Sequence, residues 1–379
     1  MHKTFAFCLY KYFPYGGLQR DMLRIALACQ ARGHTVHVYT TDWQGDRPER
    51  LQVHIRRRQG LSSHSRMKHY HTWVTEELAQ RPADCVIGFN KMPGLDVYFA
   101  ADTCFQAKAR ESRSWLYRLG PRYRHYVAFE EAVFRADAKT HVLMLTEIQE
   151  TSYLRYYETP ADRIHRLPPN MARDRVADAN ALQTRHAFRQ TQGLRDDDRL
   201  LLQVGSDFRR KGLDRSIRAL ASLPKTCLAG TRLYVVGVGT QRPYAKLARW
   251  LGVEENVVFL GPRDDVPQIL VSADLLVHPA REEAGGIVLL EALAYGLPVV
   301  VSGICGHAHY IEQAGAGWIL PHPFDQDTLN RTIQTALQRD DLRDIGRRGI
   351  AFARRVDLCG MVDAAVEVIE AIASRRSIE

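Results

Sequence analysis

Short apolar runs alternate along this chain with longer stretches in which apolar positions recur every three to four residues, the pattern of strands separated by amphipathic helices. Thr4 to Leu9 predicts a buried strand, and Leu18 to Arg32, with Leu18, Met22, Ile25, Ala26 and Cys29 on one face, predicts the helix after it. Gly33 stops that helix and Thr35 to Tyr39 begins the next strand. Cys85 to Phe89, Val97 to Ala100 and Val142 to Leu145 read as further strands, followed by a helix from Glu147 to Tyr157. At Leu167-Pro168-Pro169-Asn170 the two prolines forbid both a continuing helix and a central strand, which places a hinge there.

The second half repeats the pattern. Strands are predicted at Leu200 to Val204, Leu233 to Val236, Asn256 to Leu260, Leu275 to Val277 and Pro298 to Ser302. Helices are predicted at Leu213 to Leu220, Tyr244 to Leu251, Gly286 to Tyr295, Thr328 to Arg339 and Met361 to Ser374. Such alternation means α/β architecture, with parallel sheets covered on both faces by helices. The expected organisation is two doubly wound, Rossmann-like domains, 1–167 and 168–360, with the closing helix, about 361–379, free to pack back on the first. In open sheets of this kind ligands sit beyond the carboxyl ends of strands, so the site is expected in the cleft between the domains.

The length of 379 residues agrees with two domains, each with its own core. With 45% apolar residues the chain is neither disordered nor collagenous, and no stretch of roughly 18 apolar residues could cross a bilayer. The start is too short for a signal peptide and lacks a small-residue cleavage site. Seven scattered cysteines without a CxxC argue against a disulfide framework or a structural zinc site and fit a reducing cytosol. A formal charge of +9 suits an anionic partner.

The turn after the first strand contains Pro14-Tyr15-Gly16-Gly17-Leu18-Gln19-Arg20-Asp21. Two glycines before a helix let the backbone approach a phosphate at the positive end of the helix dipole. A Walker motif is absent, and Gly237-Val238-Gly239 lacks the third glycine of a dinucleotide fingerprint. After Val204 comes Gly205-Ser206-Asp207-Phe208-Arg209-Arg210-Lys211-Gly212, whose cations could neutralise a diphosphate without a metal. The sharpest signal is Arg281-Glu282-Glu283-Ala284-Gly285-Gly286-Ile287, continuing through Glu291 to Gly296-Leu297-Pro298. Glu291 stands among apolar neighbours, where an unpaired carboxylate is costly, so a polar partner is expected. Eight residues is about two helical turns, which would place Glu283 and Glu291 on one face toward one ligand.

These motifs, together with Arg32-Gly33-His34 and in this order from Phe7 to Trp318, resemble glycosyltransferase family 4, retaining enzymes of the GT-B fold that use nucleotide sugars. Gly88 to Asp102, with Tyr117-Arg118-Leu119 and Arg122 to Tyr126, is similar to the members that add glucose from UDP-glucose to a heptose of the lipopolysaccharide inner core of Gram-negative bacteria, in an α-1,3 linkage. The resemblance implies that Glu291 holds the ribose hydroxyls. It implies that Glu283 and the amides of Gly285, Gly286 and Ile287 face the transferred sugar and phosphates. Arg210 and Lys211 would cradle the diphosphate with Gly16 and Gly17, Asp21 would lie in the same binding set, and Arg263 would grip the base.

Two departures stand out. Ser206 occupies a place where the family commonly has arginine, so Arg209 or Arg210 must supply the charge. Asp102 stands where many members have a histidine near the reacting centre, and reads either as a group that accepts or orients the acceptor hydroxyl or as a helix cap. The favoured chemistry is same-face attack with the leaving phosphate taking the proton and Lys211 and Arg210 stabilising its charge. No metal or other cofactor is expected, and Asp196-Asp197-Asp198 reads as a solvated turn.

Residues 105–126 interleave Lys108, Arg110, Arg113, Arg118, Arg122 and Arg124 with Trp115, Tyr117 and Tyr123, against one acidic residue, Glu111. Such a mixture suits an anionic leaflet, and also nucleic acid or internal packing. A lipid-anchored acceptor implies a peripheral enzyme on the cytoplasmic face of the inner membrane, and no RNA-binding motif supports a nucleic-acid partner. A UDP-sugar epimerase or hydrolase and a non-catalytic anionic-surface or RNA-binding protein are the competing readings.

Overall fold

The computed structural model describes residues 2–14, 16–171 and 180–376, apart from the side chains of Ser112 and Arg376. Tyr15 of the first glycine loop and the last three residues of the predicted closing stretch therefore lie outside the described residues. The chain divides into two units, one holding the residues up to Asn170 together with those from Cys359 onward, the other Met171–Leu358.

The first unit is built on β1 (Thr4–Cys8), β2 (Thr35–Thr40), β3 (Gln52–Ile55), β4 (Cys85–Gly88), β5 (Val97–Ala100), β6 (His141–Met144) and β7 (Ile164–Arg166). They form one sheet in the order β3-β2-β1-β4-β5-β6-β7, with every neighbouring pair parallel. Parallel strands covered on both faces read as unbroken apolar runs, and the residues Phe5 to Cys8, Cys85 to Gly88 and Val97 to Ala100 are buried throughout. The edge strands Gln52–Ile55 and Ile164–Arg166 are half-exposed and polar, which is why the apolar pattern does not announce them.

The helix Gly17–Ala31 buries Met22, Ile25, Ala26 and Cys29 on the predicted stripe. The closing helix Met361–Arg376 packs against it: Met361, Ala365, Val366 and Ile369 join the core of Phe5, Phe7 and Cys29. Glu370 ties the contact at its edge, 3.0 Å from Arg32 and 2.9 Å from His34.

Asp21 lies on the same buried stripe, only 5% exposed, and accepts a 2.9 Å hydrogen bond from Asn170 Nδ2. Burial pushes its carboxyl up to about 6 against the opposing pull of Arg24 and Asn170. A carboxyl raised in the folded state favours folding at low pH, and that advantage fades as pH climbs from about 3.8 to about 6. Asp21→Asn keeps an acceptor for Asn170 and removes the buried charge. It is therefore expected to stabilise the protein at pH 7.5, by up to about 3 kcal/mol, and to flatten the pH dependence of Tm in this range. A lower Tm in calorimetry at pH 7.5 would show instead that the fold needs the anion.

The stretch read as a single basic segment is three elements: the helix Phe105–Ser112, a 3₁₀ turn Trp115–Leu119, and the helix Pro121–Phe134.

The second unit carries β8 (Arg199–Val204), β9 (Thr231–Val236), β10 (Val257–Gly261), β11 (Leu275–His278), β12 (Val299–Ser302) and β13 (Gly317–Leu320). They form an all-parallel sheet in the order β10-β9-β8-β11-β12-β13. Leu200, Leu202, Leu276, Val299 and Val301 face one core and Leu201, Leu233, Val277 and Val300 the other, the alternation of a sheet sandwiched between helices.

Candidate active site

In the second sheet the winding reverses between β8 and β11, and at such a switch point the loops leaving two adjacent strands part and leave a crevice. The β8 loop supplies Arg210 and Lys211, and the β11 loop supplies Glu283. Their approach depends on Gly212, whose φ is 71° and at which a Cβ would fall 2.2 Å from the Pro279 carbonyl oxygen. The loops are stitched by Arg281 N donating to Arg210 O at 2.8 Å. The Arg281 guanidinium is in turn clamped on Asp214 by two 2.7 Å bonds.

Lys211 Nζ thereby hydrogen-bonds Glu283 Oε2, and Arg210 stands 3.9 Å from Oε1. Both partners of the lysine pair are about nine-tenths buried, with side chains 10% and 9% exposed. Beneath them His278, the last residue of β11, is fully buried with Nε2 3.5 Å from the same Glu283 oxygen, close enough for electrostatics though long for a hydrogen bond. Gln203 of β8 holds the lysine backbone by donating to Lys211 O at 2.9 Å. Burial alone would raise the Glu283 carboxyl, but the Lys211 ammonium bonded to it outweighs that and holds it far below the usual carboxylate range. Burial pushes the His278 imidazole down, so the ring is neutral at pH 7. The pair is a carboxylate and an ammonium over an uncharged ring.

Gly286, with φ 94°, turns the chain into the helix Ile287–Tyr295 and offers no side-chain cap to its first turn, an end whose dipole suits an anion. Gly285 lies over His307, whose backbone N–H donates to Gly285 O at 3.0 Å. Burial pushes the His307 ring down to about 4, so it too is neutral. Glu291 sits half-buried on the second turn of this helix. Glu283 does not share that helix, contrary to the two-turn reading. It lies in the loop before it, because the left-handed Gly286 ends helical geometry at that point, and its direction is set by Lys211.

Several buried side-chain atoms in this region have no hydrogen-bond partner among the described residues: Gln203 Oε1, both His278 ring nitrogens, Ser302 Oγ and His307 Nδ1. Gln203, His278 and Ser302 stand at the carboxyl ends of three adjacent strands. Buried polar atoms are ordinarily bonded, so such a cluster is the mark of a surface shaped for a polar ligand. The motifs did not point to His278, Gln203 or His307. The one available signal was a histidine ending an otherwise apolar strand.

The remaining expected residues are placed as follows. Arg263 follows β10 and forks onto Asp265 at 2.7 and 2.5 Å, so a nucleotide base must share or displace that contact. Ser206 Oγ accepts from Val238 N at 3.3 Å, and Arg210 rather than Arg209 is the arginine near Glu283. Asp197 and Asp198 pair with Arg195. In the first unit Gly16 caps the helix Gly17–Ala31, and a Cβ there would collide with the Gln19 side chain, whereas Gly17 faces open space. Asp21 turns to Asn170. Asp102 is exposed just beyond β5, and its carbonyl accepts from Gln149 and Tyr153, both at 2.9 Å. The cap of the following helix is Cys104, not Asp102. Among the described residues no three His, Cys, Asp or Glu side chains gather closely enough to share a metal ion, and no helix is long and apolar enough to cross a membrane.

The family model for glycosyl transferases group 1 matches residues 184–349, the part of the chain that holds this site. The Escherichia coli K12 protein named lipopolysaccharide glucosyltransferase WaaG is 47% identical over 368 residues, covering 96% of this chain and 98% of its own. This chain belongs to the group 1 glycosyltransferases. A crystal structure of WaaG, described as a glycosyltransferase involved in lipopolysaccharide biosynthesis, superposes with a TM-score of 0.92 at 46% identity, covering 96% of this enzyme and 99% of that chain. That agreement establishes the GT-B class. The Anabaena protein HepE, solved with UDP and glucose, superposes at 0.74 with 19% identity, covering 98% of this glycosyltransferase and 100% of that chain, a likeness of fold.

Proposed function

We propose that this glycosyltransferase moves glucose, with retention and without a metal ion, from UDP-glucose to a heptose of a lipid-anchored lipopolysaccharide core, in an α-1,3 linkage. The observation that carries the reading is the near full-length similarity to a lipopolysaccharide glucosyltransferase, joined to a buried Lys211–Glu283 pair at a sheet switch point. In this reading Glu291 takes the ribose hydroxyls and Arg263 the base. Lys211 and Arg210 receive the diphosphate, helped by Gly16 and Gly17. Glu283 and the amides of Gly285, Gly286 and Ile287 face the glucose. The bond from the glucose anomeric carbon to the phosphate oxygen breaks as the acceptor oxygen bonds to the same face, and the acceptor proton passes to the departing phosphate. Lys211 offsets the charge that develops there. Asp102 is assigned to the acceptor hydroxyl.

Transfer from a panel of radiolabelled nucleotide sugars to heptose-terminated truncated lipopolysaccharide, with linkage analysis, tests the assignment. Glucose is expected to be preferred at least tenfold, with EDTA leaving the rate unchanged. Preference for another sugar, or turnover of UDP-glucose that ignores the acceptor, would point to the other chemistries.

The enzyme is further proposed to work at the cytoplasmic face of the inner membrane. Trp115, Leu116 and Leu119 are 64, 59 and 58% exposed on the 3₁₀ turn, an apolar edge uncommon on a solvated surface. Around it Lys108, Arg110, Arg113, Arg122 and Arg124 are exposed and Arg118 partly so, with Tyr117 and Tyr123 half-buried. Aromatic edges with flanking cations are the composition of a headgroup-level contact. Sedimentation with anionic vesicles is expected to retain the enzyme at low salt and release it at high salt. Equal retention on neutral vesicles would remove the electrostatic part.

A further inference from the structure

A second basic cluster stands at the carboxyl ends of β2 and β3 in the first unit. Arg56, Arg57, Arg58 and Arg66 surround a shallow surface dip of roughly 10 Å³, backed by the buried side chains of Tyr70 and Trp73. Both rings are fixed: Tyr70 donates its hydroxyl to Tyr39 O at 2.9 Å and Trp73 its indole N–H to Glu77 at 3.1 Å. The cations are under-neutralised. Arg58 shares Asp42 with Lys11, at 2.9 and 3.7 Å, and Arg56 meets Glu76 at 3.4 Å in an exposed and therefore weak pair. Arg57 has no partner among the described residues, and Arg66 makes one hydrogen bond, from Nε to Gly60 O at 2.9 Å, which leaves its terminal nitrogens free. Through Asp42 the cluster is joined to the loop after β1 that runs to Gly16 and Gly17.

Guanidinium groups crowded round one shallow dip repel one another until an oxyanion enters, and their planar forks fit a carboxylate or a phosphate. A bilayer would instead be met by a projecting surface such as the Trp115 turn. We propose that this arginine cluster is an oxyanion subsite for the acceptor, taking a carboxylate or phosphate borne by the acceptor saccharide. The proposal rests on the reading that the acceptor is a saccharide, and it adds that the acceptor is recognised by its charge through the first unit.

The test uses the full-length enzyme, its Arg57→Gln/Arg66→Gln double variant and Arg57→Lys, with deacylated heptose-terminated core oligosaccharide and a neutral methyl heptoside as alternative acceptors. The double variant is expected to raise KM for the oligosaccharide at least tenfold with the KM for UDP-glucose unmoved, the loss to be absent with the methyl heptoside, and Arg57→Lys to retain most of the affinity. An unchanged KM for the oligosaccharide overturns the proposal, as does a variant that loses only its retention on anionic vesicles, which would make the cluster a lipid-headgroup contact. If the unmodified enzyme transfers glucose to neither acceptor, the functional reading fails, and calorimetry then decides the subsite. Oligosaccharide binding that is lost in the double variant supports the subsite, and equal binding overturns it.

Discussion

Lys211→Ala is expected to lower kcat by about 10²–10³, the usual consequence of removing one preorganised donor aimed at developing negative charge. Lys211 is the buried cation that the proposed reaction assigns to the departing diphosphate, and Arg210, 39% exposed and 3.9 Å from Glu283, cannot reproduce a desolvated ammonium. The same change leaves Glu283 buried without its main cation, which costs about 3–5 kcal/mol of stability. The double variant Lys211→Ala/Glu283→Gln should recover a good part of that stability and none of the activity, a non-additivity typical of groups in direct contact. The pH dependence carries a sign. A carboxyl held low in the folded state contributes stability above its unfolded value of about 4.5, and loses it as pH falls through the folded value. The stability gap between the natural enzyme and Lys211→Ala should therefore be widest near neutrality and close in acid. Steady-state kinetics and thermal melts across pH decide the matter, and a kcat within threefold of the natural enzyme would remove Lys211 from the reaction.

Glu130→Ala is expected to be the most damaging single change to the first unit. The Glu130 carboxylate is fully buried on the helix Pro121–Phe134 and accepts from Lys91 Nζ at 2.6 Å and Tyr157 OH at 2.9 Å. It also caps the helix Phe105–Ser112 from outside, accepting from Phe105 N at 2.8 Å and Gln106 N at 3.0 Å. Burial alone would raise this carboxyl, but Lys91 and the two amides hold it below its usual range. Without Glu130, Lys91 becomes an uncompensated buried ammonium and the short helix loses its start. A cost of about 3–5 kcal/mol follows. At about 2–4 °C per kcal/mol for a unit of this size, Tm should fall by roughly 6–20 °C. Hydrogen exchange at Phe105 and Gln106 should rise first, with retention on anionic vesicles falling as the adjoining Trp115 turn loses its support. A Tm within 2 °C or so of the natural protein would show that Glu130 has little share in holding this region.

The two predictions differ in how visible their residues were in the sequence. Lys211 and Glu283 were found through motifs, because glycine turns beside charged residues at strand ends have a local signature. Lys91 and Glu130 were not singled out as a pair. They stand 39 residues apart, and neither neighbourhood shows that one will neutralise the other. Asp21 illustrates the opposite error. Placed beside the glycine loop in sequence, it read as part of the binding set, but its position on the buried face of the helix Gly17–Ala31 aims it at Asn170, 149 residues away.

What the sequence by itself determined was the class of fold and the positions of most central strands, because burial on both faces demands continuous apolar runs and amphipathic helices carry a period that can be read locally. It also supplied the glycine and charge motifs on which the family resemblance rests. The tertiary structure alone decided that Glu283 stands in a loop against Lys211 and His278 rather than along a helix with Glu291. It alone placed the half-exposed edge strands and gathered Arg66 with the arginines beyond β3. Each of those depends on which distant side chains share a buried space, and charge pairing and desolvation are set by that company rather than by neighbours in the chain.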